Sequence, residues 1–142
     1  MSSPALGAPD ARLHVLLSTP LLVLGGLVFA GLWLVVAAAC HGRAAWMSLV
    51  AAFNAIAWLH IAGARPGAPR AWLATFLTAA SIALGEWLVA ALPIAGLMNQ
   101  SPLETAQRIG PDFGWMLIRL GNTSLDWGLI VIALAVAMRF GR

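Results

Sequence analysis

The chain carries five carboxylates in 142 residues, and one of them, Glu86, sits inside the apolar run ALGEWLVAALP, residues 83–93. An ionised carboxylate in hydrocarbon costs several kcal/mol, so such a group pairs, reaches water or holds a proton. Two roles follow. Glu86 is either a proton or cation site, or a hydrogen-bonded link between helices. Helical rise places it roughly 9 Å from the end of its helix, too deep for a simple interfacial charge. By depth the expected partners are Asn54 on a neighbouring helix and His41 or Arg43 reaching inward. Ala79, Ala83 and Ala90 share its helix face at spacings of seven, three and four, so close approach of another helix is expected there.

A second polar set collects toward one end of the molecule: His41, Arg43, Glu104, Arg108, Asp112, Arg119 and Asp126. These residues offer acid and base groups for chemistry on a lipid headgroup. They equally suit helix caps and an interfacial charge network. Glu104 and Arg108 are four apart in the favourable order, and Thr123 followed by Asp126 has the spacing of a capping pair. With no nucleophile motif and no metal-ligand cluster, enzyme chemistry is the weaker reading.

The three histidines have no ligand spacing. His14 and His60 belong near one membrane face and His41 near the other, so neither a haem nor a metal is expected, and no other cofactor is implied. The single Cys40 rules out an internal disulfide and reads as a small packing residue. VAAAC, residues 36–40, has a faint lipoprotein look. The apolar run 13–39 is about twice a usual signal core, however, and a retained membrane helix is expected. Asn122, Thr123 and Ser124 match a glycosylation sequon, which is a short and common pattern.

The elements that must position these groups are helices in lipid. The chain is 61% hydrophobic and 9% charged, where roughly a quarter of a soluble domain is charged. All eight basic residues are arginine, spread without a basic run, so no nucleic-acid partner is expected. A bilayer core asks for about 20 apolar residues, and four segments meet that need. They run over about residues 20–40, 44–62, 71–92 and 124–140, the last somewhat short. The expected fold is therefore an all-α integral membrane protein, a single domain over 1–142 with four transmembrane helices in a bundle.

Short interfacial helices are expected at residues 10–17, before Pro20, and within the polar stretch 97–123. In that stretch Ser101 with Glu104 predicts a capping box, with Pro102 at the first position of a short helix over 102–109, and Gly110 with Pro111 predicts a break. Phe113, Met116, Leu117 and Leu120 then recur at helical spacing, as in a helix lying on a membrane or on its neighbours. A single longer last helix from Asp112 competes with this. The linker GARPGAP, residues 63–69, separates the second and third spans, and the third closes before Pro93. Gly26 with Ala30, and Thr78, Ser81 and Gly85, form small-residue stripes expected to pack helices.

Arginine counting sets Arg12, Arg65, Arg70, Arg139 and Arg142 against Arg43, Arg108 and Arg119. This favours both termini in the cytoplasm of a bacterial-type inner membrane. The leading functional expectation is a non-catalytic membrane subunit or oligomeric helix-packing protein, whose partners are the bilayer and either another copy or another membrane subunit. A small oligomeric channel or proton-coupled transporter using Glu86 is the alternative. A lipid-binding protein or membrane-interface enzyme using residues 97–126 comes third.

Overall fold

The computed structural model describes residues 9–41 and 44–142, and the side chains of residues 20 and 23–41 and 44–142. Arg43, and the side chains of Arg12 and His14, lie outside the described residues. Among the described residues the chain is helical throughout, with no strand: α1 (Pro9–Ala39), α2 (Met47–Ile61), α3 (Ala68–Met98), α4 (Pro102–Arg108), α5 (Pro111–Gly121) and α6 (Ser124–Phe140).

Local sequence accounts for most of the boundaries. Gly63 and Gly67 hold positive φ in the loop between α2 and α3, at 67° and 145°, where a side chain would be strained. Ser101 Oγ accepts from the Glu104 backbone N–H at 3.2 Å and opens α4, with Pro102 at the first helical position. Thr123 and Asp126 form a reciprocal capping box at the start of α6, in which Thr123 N–H donates to Asp126 Oδ2 at 2.7 Å. A Thr123→Ala variant is expected to lose about 1 kcal/mol of stability, measured as a lowered midpoint of thermal unfolding. Thr123→Asn should stay close to wild type, because asparagine caps equally well.

Two proline expectations are corrected. No separate helix precedes Pro20, since α1 runs unbroken through it, and α3 continues through Pro93 to Met98. Ending a helix orphans up to four N–H and four C=O groups, whereas carrying a proline inside it forfeits about one hydrogen bond. In so apolar a chain the second cost is the smaller. Termination of α3 comes instead at Asn99, which takes the left-handed conformation at φ 51° and returns its N–H to Ala95 O.

Helix α3 is the hub and packs against α1, α2, α4, α5 and α6. Its buried stripe is Ala71, Ala74, Thr78, Ile82, Gly85, Leu88, Ala91 and Ala95, at spacings of three and four. Together with the fully buried Ala37, Ala51, Ala52, Ala133 and Ala137, these small side chains bring the backbones close. Thr78 is satisfied within its own helix, donating to Ala74 O at 2.8 Å. Helices α3 and α6 run antiparallel, with Gly141 against Ala71 and Ala74 at one end and Asn122 beside Glu86 at the other. Three tryptophans lie against glycines of neighbouring helices: the fully buried Trp33 on Gly85, and the half-buried Trp58 on Gly25 and Trp87 on Gly114. Gly26, by contrast, has open space where a side chain would go.

Large apolar side chains also cover the outside, among them Val28, Val35, Phe53, Phe76, Leu97, Leu125 and Val131. Among the described residues α3 alone is both long and apolar enough to cross a membrane by itself. Val23–Ala39 and α2 are shorter apolar stretches. Helices α5 and α6 reach the length only as a pair, and they are bent by 106° at their junction. A single straight last helix from Asp112 is therefore not formed.

Candidate functional site

Glu86 points into the protein and keeps only 9% of its surface exposed. Its partner is Asn122, whose Nδ2 donates to Oε2 at 3.0 Å. That residue is reached because α5 turns back toward α3 and the 106° bend before α6 leaves residue 122 facing the middle of α3. Asn54, expected as a partner, is half-buried within α2 and is not among the hydrogen-bond partners of Glu86. Asn122 had a signal of its own, an amide beside the Thr123 cap at the mouth of a helix, but only as a sequon.

The surroundings of Glu86 are open on three sides. A cavity of about 470 Å³ lies between Glu86, Trp33, Trp46, Asn122, Asp126 and Leu129. A second, of about 440 Å³, extends from Glu86 and Asn122 past Pro93 and Leu120 to His41. The third, about 270 Å³, is an apolar groove between α3, α5 and α6, lined by Ala83, Trp87, Trp115, Ile118, Trp127 and Leu134, with Glu86 the one ionisable residue in its wall among the described residues. The alanines on the Glu86 face thus do not receive a close helix. Ala79 and Ala83 are exposed and line this groove, while tight packing falls on the neighbouring Thr78–Gly85 line.

Tryptophans shape the groove. Trp87 is pinned by donating its Nε1–H to Ala106 O at 3.0 Å and by lying on Gly114, which joins α3 to both α4 and α5. Trp115 and Trp127 meet edge to face, with ring centroids 6.0 Å apart, across the α5–α6 bend. Helix α5 turns most of its apolar face outward rather than onto neighbouring helices. Gly114 and Ile118 pack inward, while Phe113, Trp115, Met116 and Leu120 are all at least half exposed.

The remaining polar residues are distributed rather than gathered into one cluster. Glu104 and Arg108 pair with each other at 2.7 Å on the exposed face of α4. Asp126 is engaged by the Thr123 cap and lines the largest cavity with Glu86. Asp112 and Arg119 occupy the first and last turns of α5, where each complements the helix dipole. His41, in the left-handed conformation at φ 53°, reaches the site only as a cavity wall, and His60 is exposed at the far end of α2. Among the described residues no three His, Cys, Asp or Glu side chains converge as a metal centre requires.

Comparison with protein-family models, with curated proteins and with solved structures returns no match.

Proposed function

We propose that this chain is a small four-span integral membrane protein in which Glu86 is the proton or cation site of an oligomeric channel or coupled transporter. The observation that carries the reading is that one buried carboxylate borders three cavities at once while taking a single hydrogen bond among the described residues. A carboxylate serving only to lock helices would be enclosed by its partners. In this arrangement α1, α2, α3 and α6 are the spans, and α4 and α5 lie at the outer end. Large exposed apolar side chains on those four helices support lipid contact. The antiparallel pairing of α3 and α6 puts Arg139 and Arg142 at the same end as Arg65 and Arg70, which supports a cytoplasmic location for that end.

The second reading is a non-catalytic subunit that associates with another copy or another membrane protein. It is favoured by the Asn122–Glu86 bond itself, which ties α3 to the start of α6. Infrared difference spectroscopy in lipid separates the two, with Glu86→Gln used to assign the carboxyl band. Under the transport reading the band titrates between acid and alkaline buffer and exchanges readily in D₂O. A carboxyl locked in one state throughout, with cation and proton flux in liposomes equal for wild type and Glu86→Gln, would make Glu86 a packing link and overturn the reading.

A further inference from the structure

The walls around Glu86 have a chemistry that selects among cations. We infer that the site takes a lipophilic organic cation, its charge beside Glu86 and its apolar body in the groove of Trp87, Trp115 and Trp127. This inference rests on the reading of Glu86 as a proton or cation site and names the substrate class.

Three observations lead there. First, two carboxylates, Glu86 and Asp126, line the largest of these cavities together. These walls therefore favour positive charge. Second, the groove, unlike the cavity that Glu86 shares with Asn122, Thr123 and Asp126, has no side-chain oxygen in its wall but those of Glu86. A hard cation such as Mg²⁺ or Ca²⁺ asks for about six oxygen ligands and is not held there. Third, indole faces attract diffuse, weakly hydrated cations, and an alkyl or aryl body gains from leaving water for an apolar groove. Trp115, half exposed and edge to face with Trp127, lines that groove. A carboxylate at the end of a tryptophan-lined groove is complementary to a cation with an apolar body.

The test uses the full chain in lipid nanodiscs, with labelled tetraphenylphosphonium in equilibrium dialysis and tetramethylammonium as a cation lacking the apolar body. Saturable binding of tetraphenylphosphonium, weakened about tenfold or more by Glu86→Gln and also by Ala83→Phe, which fills the exposed groove wall, is the expected result. Tetramethylammonium should bind at least about tenfold more weakly than tetraphenylphosphonium. Glu86→Gln keeps the shape and can still accept from Asn122, so its folding is not at issue, and Trp115→Leu on the exposed rim provides an independent reduction. Equal binding to wild type and Glu86→Gln would mean partition into lipid and would overturn the inference. If the Glu86 carboxyl exchanges protons but no saturable tetraphenylphosphonium binding is found, the inference fails while the cation-site reading stands. If the carboxyl is locked and nothing binds, both fail.

Discussion

Trp33→Ala is expected to cost about 3 kcal/mol of folding stability, the largest loss from any single truncation in the chain. Trp33 is completely buried, lies flat enough on α3 that Gly85 carries no side chain beneath it, and meets Phe29 edge to face at 5.8 Å. Truncation removes this packing and leaves a void between α1 and α3. In a soluble protein part of the cost is transfer of apolar surface from water, and that part shrinks when the unfolded helices remain in lipid. The cavity part persists, because the atoms lining a void have no neighbours on its open side and forfeit their dispersion attraction. Unfolding in detergent followed by circular dichroism measures the change. A loss below about 1 kcal/mol would mean that the helices close the gap, and that Trp33 does not hold α1 at its distance from α3.

Gly85→Ala is expected to cost about 1–3 kcal/mol through the opposite fault, overpacking. A β-carbon at this position would lie 2.7 Å from Cδ2 and Cε3 of Trp33 and 3.1 Å from Cε2. The ring is completely buried, so it must either shift toward the cavity it walls beside Glu86 or push α1 and α3 apart. Combining the two changes supplies the decisive control. In the Trp33→Ala background the new methyl enters a void, so Gly85→Ala should become neutral or stabilising, with a coupling of about 2 kcal/mol between the positions. Additive losses would show that Gly85 matters for its backbone alone. Because Glu86 is the next residue and Trp33 walls its largest cavity, the single variants should also disturb the carboxyl band of Glu86.

The local features were legible in the order of the residues. Thr123 with Asp126 opens α6 through the expected capping box. Ser101 caps α4 in one direction only, the Glu104 carboxylate going to Arg108 instead of back to Ser101. In both, the cap is decided within a few residues by hydrogen bonds that the local chain makes to itself. The all-helical class followed from apolar runs that leave their backbone groups no other partner, and the inward placement of Glu86 followed from the cost of leaving a carboxylate in an apolar surrounding. Whether the prolines end a helix was not local. Pro93 remains inside α3, where Ala91 and Ala95 on either side of it are buried in the bundle, and α1 also continues through Pro20.

The partner of Glu86 was decided only by tertiary structure. Sequence ranks candidates by height along a helix, and Asn54 and His41 met that test, but height does not say which way a residue faces around the bundle. Asn122 is 36 residues away and meets Glu86 only because α5 folds back and α6 departs at 106°. The same bend brings Trp115 to Trp127 and opens the groove, turning three separate tryptophans and a carboxylate into one surface. A helix period determines which residues share a face. Which face meets which depends on how the other helices crowd around α3, and that is set by glycines receiving tryptophan rings at distances no linear pattern records.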